Sequence, residues 1–365
     1  HSGPRAYARS FSEGAEIFFG GMGDHWNVPA CDFDPTGDYD TKIHQTVDFH
    51  TQAVREWTAD HIRAGVHSTE LFADATIDFL RHQHAGDRPF FSYVSFMAPH
   101  DPRTMPDKFL HLYPADEIEL PANFMSEHPF DNGELTIRDE VLAAHPRSEA
   151  ETREHLAAYY AMISHVDHHI GRVLTALDEE GLRDDTIIVF AGDNGLAVGQ
   201  HGLFGKQSVY DHSVHVPLIF AGPNIPQGQQ RDALTGLIDI FPTLCDLANV
   251  ETPDSVEGCS LSPVFEDEEE SVREYFHFAY RHLMRGVRDE AGLKLIETAV
   301  DGARHTQLFD LAEDPLETRD LSDVGEHVDN LASLREALQA GWCDEYGDTD
   351  GEQGQHFWEA MEWAQ

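Results

Sequence analysis

Apolar side chains recur at three- and four-residue steps in two stretches, and this spacing places them on one face of a helix. In the first stretch, which begins at Ser68, the repeating positions are Phe72, Ala75, Phe79 and Leu80. In the second, over about residues 149–180, they are Tyr159, Ile163, Val166, Ile170, Val173 and Leu177. Gly181 ends the second helix, because glycine readily takes the left-handed conformation of a helix terminus. The pattern predicts two amphipathic helices.

Three other stretches are almost continuously apolar and have the length of strands. They are RPFFSYVSFMA at 88–98, TIIVFAG at 186–192 and VPLIFAG at 216–222. Strands that are apolar on both faces are typical of a sheet buried between helix layers, and such sheets are mostly parallel. The sequence therefore predicts an α/β fold with a mixed, mostly parallel sheet between helix layers.

The character of the chain changes after Pro253, where shorter apolar segments follow one another. Residues 274–281, 292–298 and 305–311 are interpreted as strands, and 328–342 as a closing helix. We therefore predict an α/β domain over 1–255, a small antiparallel α+β subdomain over 256–345, and a loosely docked tail over 346–365. Two polar stretches, 1–66 and 101–148, are interpreted as long loop regions.

The charge balance limits the classes of partner. The chain has 24 Lys and Arg residues against 67 Asp and Glu residues, a net charge of −43. A surface this acidic repels nucleic acid and anionic membrane, so neither is an expected partner. Only four residues are lysine, and an acidic, lysine-poor composition favours a halophilic origin, since charge repulsion is strongly screened in molar salt. No apolar run reaches the roughly 18 residues of a membrane span.

Polar residues follow the second apolar run at the place where ligands bind in open α/β sheets, beyond the carboxyl end of a strand. Asp193 and Asn194 offer a carboxylate and an amide oxygen, which suit Ca²⁺ or Mg²⁺ and suit zinc poorly. The glycines on either side, Gly192 and Gly195, would allow unusual backbone dihedrals there. Asp-Asn-Gly is also a common turn signal, so the tripeptide alone leaves a metal site and a plain turn both open.

Three basic residues are candidates for holding an anion. Lys206 is kept among glycines in a chain that has almost no lysine, which suggests a need for a positive point charge; the alternative is an ordinary surface lysine. His100 ends the first apolar run between Pro99 and Pro102, which stiffen the turn. His201 lies in the same glycine-rich loop as Lys206 and is a weaker candidate. The chain has 24 histidines, so a purely structural role is the alternative for both His100 and His201.

Taken together, these segments resemble the sulfatase family of the alkaline-phosphatase-like superfamily. FFSYVSFMAPHDP resembles the strand that ends in the substrate-binding histidine, and the run from YYAMISHVDHH to IIVFAGDNG resembles the helix and strand before the metal-binding Asp-Asn. HGLFGKQSVYDHSVHVPLIFAG resembles the segment with the sulfate-binding lysine, and LIDIFPTLCDLANV with LFDLAEDPLETRDL resembles the C-terminal region. The similarity extends over nearly the whole chain.

The resemblance implies roles for individual residues. Asp193 and Asn194 would bind Ca²⁺ or Mg²⁺, and Lys206 and His100 would hold the sulfate, with His100 as proton donor to the leaving oxygen. His201 is a further substrate-binding candidate. The N-terminal HSGPRAY is similar to the end of the family's Gly-Lys-Trp-His-x-Gly motif, so His1 would also contact the sulfate and stabilise the transferring group.

One family motif has no counterpart here. The nucleophile, a formylglycine, is made from Cys or Ser in Cys/Ser-x-Pro-x-Arg, and no cysteine of the chain has Pro at +2 and Arg at +4. Ser2 comes nearest, but its arginine falls at +3. A first strand with paired aspartates is missing as well. We therefore expect the chain to correspond to the C-terminal two-thirds of a sulfatase, with the formylglycine in a segment before residue 1.

The expected activity of the parent enzyme is hydrolysis of a sulfate ester of a small molecule or a saccharide. A phosphodiesterase or phosphonate monoester hydrolase of the same superfamily is the first alternative, although Asn194 stands where phosphate-directed relatives often have histidine. A non-catalytic relative that binds an anion is the second. The organic group of the substrate, the oligomeric state and the compartment stay open.

Overall fold

A computed structural model describes residues 10–19, 23–37, 39, 45–47, 54–56, 59–83, 88–267 and 270–361. The chain divides into two compact units. The first unit takes in residues 1–119 and 150–186, and the second takes in residues 120–149 and 187–365. The domain boundaries at 255 and 345 that we drew from the sequence stay predictions.

Helices dominate the first unit. Helix α1 runs over Ser68–Gln83, the short α2 over Asp107–Leu110, and the long α3 over Glu149–Glu179. Both helices predicted from the apolar spacing are thus confirmed, but of the six positions named on α3 only Leu177 is buried, and Ile163 is 42% exposed. The buried face of α3 includes Ala161 and Met162, which pack on Phe109 of α2. The described residues of this unit also form four short strands, β1 Pro29–Ala30, β2 Gln45–Val47, β3 Val54–Glu56 and β4 His61–Ile62, paired as β1–β4 and β2–β3.

The second unit contains the strand that leads to the candidate site. Strand β5, Ile188–Ala191, pairs antiparallel with β6, Leu218–Ala221, so that Ile188 lies opposite Ala221. The connection between them holds only the one-turn helix α4, Asp211–Val214. Helices α5, Ile240–Leu247, and α6, Ser262–Glu266, follow β6.

A four-stranded antiparallel sheet forms the C-terminal part of the second unit. Its strands are β7 Tyr275–Tyr280, β8 Met284–Asp289, β9 Leu293–Val300 and β10 Ala303–Asp310, hydrogen-bonded in the order β10–β9–β8–β7. Helix α7, Val328–Gln339, packs its buried Leu334 and Leu338 on this sheet. The predicted antiparallel α+β region is therefore confirmed, with β8 as a strand that the sequence reasoning missed.

The last residues differ from the loosely docked tail that we predicted. Helix α8 covers Glu352–Ala360, and Phe357, Trp358 and Met361 are buried in the same apolar cluster as Leu334. Arg285 of β8 forms an ion pair with Asp348 just before this helix. Phe357 and Trp358 thus complete an apolar core.

Two details of the predicted sheet do not appear among the described residues. The run at 88–98 is not a strand, and its Phe91 and Tyr93 are 63% and 70% exposed. A strand needs a neighbour for its backbone groups, and no described strand pairs with this run. Every described strand pairing is antiparallel. For β5 and β6 the reason is that their connection lacks the long crossover helix that parallel neighbours need.

Candidate active site in the second unit

Asp193 and Asn194 lie directly after β5 and are both exposed. Asp193 Oδ1 accepts a hydrogen bond from the backbone N–H of Asn194 at 2.9 Å. The Asn194 side-chain amide nitrogen donates to the carbonyl of Gly195 at 2.8 Å, which leaves the amide oxygen as the atom able to bind a cation. The two side chains offer hard oxygen atoms, so their chemistry fits Ca²⁺ or Mg²⁺. They would fill only part of the shell of six or more oxygens that Ca²⁺ takes.

Gly195 is required by close packing, and not by the unusual dihedral angles that we expected. A Cβ atom at this position would lie 2.0 Å from the carbonyl oxygen of His212. The backbone N–H of Gly195 donates to the Ser213 carbonyl at 2.9 Å. The turn after β5 is therefore held against helix α4, and only glycine permits that approach.

The loop that carries Lys206 is compact and buried. Ala197 donates its N–H to the Gly205 carbonyl at 2.9 Å, and Gly199 donates to the Leu203 carbonyl at 2.8 Å. Leu203 and Phe204 are almost completely buried. The backbone on the N-terminal side of Lys206 is thus fixed, which suits a residue that must hold its ligand in one place.

Segment 120–149 braces this loop through one buried ion pair. The Glu140 carboxylate accepts a hydrogen bond from the Phe204 N–H at 2.9 Å and pairs with the Arg147 guanidinium. Arg147 also donates to the Gly202 carbonyl at 3.1 Å, and its guanidinium lies 4.8 Å from the ring centroid of Phe204. Burial raises the pKa of Glu140. The sequence gave no reason to single out this pair, because both residues lie in a stretch that we interpreted as loop.

The Lys206 ammonium has an acidic neighbour from the same segment. Its Nζ lies 3.3 Å from Oδ2 of Asp139, and both side chains are largely buried. The lysine is therefore not the ordinary surface residue of the alternative interpretation.

The structure places His201 in the protein core. Its ring is buried and stacks on Tyr210 with 4.3 Å between centroids, and its Nε2 lies 3.3 Å from the side-chain amide nitrogen of Asn123. Burial lowers the pKa of His201 to about 4, so the ring is neutral near pH 7. These surroundings favour a structural role for the His201 ring in the packing of the core. Substrate binding by His201 stays a prediction.

His100 belongs to the first unit, where two stacked histidines hold its loop. The rings of His25 and His67 are parallel, with 4.9 Å between centroids. His25 Nε2 donates to the carbonyl of His100, and His67 Nε2 donates to that of Thr104, both at 2.9 Å. The Thr69 N–H donates to Nδ1 of His67, so His67 is neutral with its proton on Nε2. Burial lowers the pKa of His67 to about 4.

The imidazole of His100 is half-buried, and its Nδ1 lies 3.1 Å from the carbonyl oxygen of Asp101. That contact favours a proton on Nδ1, because a carbonyl only accepts. The role of His100 in binding sulfate stays a prediction. His1 lies outside the described residues, and its role stays a prediction as well.

Comparison with known proteins agrees with the fold and defines the family. Over 75% of this chain and 59% of that protein, the structure matches the phosphonate monoester hydrolase SpPMH from Silicibacter pomeroyi, with a TM-score of 0.64 and 26% identity. It also matches BT4656 in complex with its substrate D-glucosamine-2-N,6-O-disulfate, with a TM-score of 0.69 and 21% identity over 96% of this chain and 83% of that one. The predicted class, a mixed α/β fold of the alkaline-phosphatase-like type, is confirmed.

Sequence comparison narrows that class. The sulfatase family model matches residues 18–250, and the model for the C-terminal region of N-sulphoglucosamine sulphohydrolase matches residues 199–342. The chain belongs to the sulfatase family. The arylsulfatase of Clostridium perfringens is 31% identical over 304 residues, which are 80% of this chain and 60% of that protein. The chain thus spans about three fifths of this relative. Within the described residues, no helix is both long and apolar enough to cross a membrane.

Proposed function

We propose that the protein hydrolyses sulfate esters of a small molecule or a saccharide at a site that contains Asp193, Asn194 and Lys206. The observation that supports the proposal is the braced loop of the second unit, which holds a largely buried lysine. This loop follows a strand after which Asp193 and Asn194 offer oxygen atoms that suit a cation. The family membership supports it. We further propose that the acidic composition suits a salt-rich environment.

In this proposal the metal, calcium or magnesium, is held by the carboxylate of Asp193 and the amide oxygen of Asn194. When bound, it would withdraw charge from the ester oxygens. The hydrated formylglycine that attacks sulfur in the family has no motif within residues 1–365, so we propose that it lies outside them.

Lys206 would bind an ester oxygen with its ammonium group. A positive charge about 4 Å from an anion stabilises it by roughly 4 kcal/mol at an effective dielectric of 20, and negative charge develops on the leaving oxygen in the transition state. Because the surrounding loop is fixed, this interaction costs little reorganisation during the reaction.

His100 would donate a proton to the departing oxygen. Whether the reaction needs this proton depends on the leaving group. A sugar alkoxide is strongly basic and must be protonated as it departs, whereas 4-nitrophenolate leaves without a proton donor. His25 and His67 would act as positioning residues here, because they fix the backbone on which His100 is carried.

The proposed function is tested by turnover of the full-length protein with Ca²⁺ present. We expect 4-nitrophenyl sulfate to be cleaved with a higher kcat/KM than a 4-nitrophenyl phosphonate. Lys206→Ala should lower kcat about a hundredfold or more, while Asp254→Asn, an exposed change in the same unit, should leave it unchanged. Full activity in Lys206→Ala would refute the proposal.

The role of His100 needs its own comparison. His100→Asn should slow hydrolysis of a sugar sulfate at least tenfold more than hydrolysis of 4-nitrophenyl sulfate, since general acid catalysis contributes about 10²–10⁴ only where the leaving group needs it. Equal losses on the two substrates would exclude His100 as the proton donor.

Phosphonate monoester hydrolysis is the second candidate, and the structural match to SpPMH at 26% identity favours it. Preference for the phosphonate over the sulfate in the same turnover assay would establish it.

A further inference from the structure

The carboxylate opposite Lys206 is an unusual feature for a site that binds an anion. Asp139 is 8% exposed, and its Oδ2 is buried without a hydrogen-bond donor in the described part of the chain. That same atom lies 3.3 Å from Lys206 Nζ. A negative charge therefore lies beside the proposed sulfate-binding cation, and it is placed where solvent screens it weakly.

The backbone around Asp139 holds the carboxylate in this place. Arg138, the residue before it, has a φ of 51°, which is unfavourable for a side chain of that size. Glu140, the residue after it, is tied to Phe204 and Arg147. A strained residue and a buried ion pair thus flank Asp139, and strain of this kind persists only where the surrounding structure enforces it.

A fixed negative charge beside the anion-binding lysine discriminates between anions by their charge. A sulfate monoester carries one negative charge, and a phosphate monoester carries close to two at pH 8, because its second pKa is about 6. Asp139 repels both, but it repels the second charge of the phosphate in addition. With that charge about 6 Å from the carboxylate, the added repulsion corresponds to roughly ten- to a hundredfold in affinity.

We propose that Asp139 is a specificity-determining residue, which restricts the Lys206 site to esters with a single negative charge and excludes dianionic phosphate monoesters. This inference rests on the proposed function of Lys206. It concerns the charge of the ester that the site accepts, which the Asp139 carboxylate limits. The organic group of the substrate stays open.

The test is a direct measurement of binding at Lys206. The chain has only four lysines, so reductive methylation with ¹³C-formaldehyde gives few dimethyl-lysine signals, and Lys206→Arg identifies the one from Lys206. Phenyl sulfate and phenyl phosphate are titrated separately at pH 8 into the wild type, Asp139→Asn and Asp139→Glu. Asp254→Asn removes one exposed negative charge and serves as the matched control.

We expect Asp139→Asn to improve the affinity for phenyl phosphate at least about tenfold more than that for phenyl sulfate. Asp139→Glu, which keeps the charge, and the Asp254→Asn control should keep the wild-type ratio. If both esters shift the Lys206 signal but Asp139→Asn leaves their affinity ratio unchanged, the inference about Asp139 is wrong and the proposed function stands. If neither ester shifts that signal in any variant, both the anion-binding role of Lys206 and the inference fail.

Discussion

The buried ion pair between Glu140 and Arg147 should contribute a measurable part of the free energy of unfolding, because it holds the loop that carries Lys206. Glu140→Gln keeps an oxygen that can accept the Phe204 N–H but removes the negative charge. The guanidinium of Arg147 would then stay buried, with hydrogen bonds to the carbonyls of Gly202 and Ala143 among others, and would lose the negative charge of Glu140. Removing one partner of such a pair destabilises a protein by about 3–5 kcal/mol.

The assay is urea unfolding at pH 7.5, followed by circular dichroism. Asp78→Asn is the matched control, because Asp78 pairs with Arg81 at 3.6 Å on the exposed surface of α1. Exposed pairs contribute about 0–1 kcal/mol, so this control should change the free energy of unfolding by less than about 1 kcal/mol. A double change, Glu140→Leu with Arg147→Met, should recover part of the loss, since it removes both charges.

Two results would refute this reasoning. A loss below about 1 kcal/mol in Glu140→Gln would mean that the pair does not stabilise the loop. We also expect Glu140→Gln to weaken anion binding at Lys206, so a stability loss of the expected size with unchanged binding would mean that the brace supports the fold without positioning the lysine.

Three further predictions concern acid, salt and metal. Burial lowers the pKa of His67 and His169 to about 4 and that of His165 to about 3, so the folded state binds fewer protons than the unfolded state. The stabilisation by these histidines should therefore be full above about pH 6.5 and should fall as the pH drops towards 4, by up to about 3 kcal/mol per histidine. Urea unfolding midpoints of the wild type and His67→Gln at pH 7.5 and 5 check this. An equal drop in midpoint between the two pH values in both proteins would contradict it. With a net charge of −43, raising KCl from 0.1 to 2 M should raise the Tm, because screening shortens from about 10 Å to below 3 Å; a falling Tm would contradict it. For a protein of residues 1–365 alone, calorimetry should show Ca²⁺ binding in the millimolar range, as at weak sites with few ligands, and Asp193→Asn should abolish it; micromolar binding by these residues would contradict the partial shell.

Helices were predictable from the sequence because their signal is local. The apolar positions of α3 repeat over many turns, and the helix Glu149–Glu179 agrees with the predicted 149–180 within a residue or two. The strand predicted at 88–98 failed for the opposite reason. A strand depends on a distant partner, and the apolar character of Phe91 and Tyr93 does not reveal whether one is present. Strand β8 was missed because it contains Arg285 and Gly286, of which the arginine is buried through its pairing with Asp348.

The candidate site was predictable only where its residues follow an apolar run. Asp193 and Asn194 stand out for that reason, while Asp139 and Glu140 lie in a polar stretch without periodicity. Rarity alone does not mark a lysine as functional. Lys294 is equally rare, yet it is completely buried and pairs with Asp211 and Glu317 at 2.6 and 2.7 Å, in a structural network.

The crystal structure of the full-length protein with Ca²⁺ and sulfate would test the central claim most directly. We predict the cation within about 2.3–2.6 Å of a carboxylate oxygen of Asp193 and of the amide oxygen of Asn194. A sulfate oxygen should lie within about 3 Å of Lys206 Nζ. A cation bound away from Asp193, or a sulfate bound elsewhere while Lys206 pairs with Asp139 alone, would contradict the account.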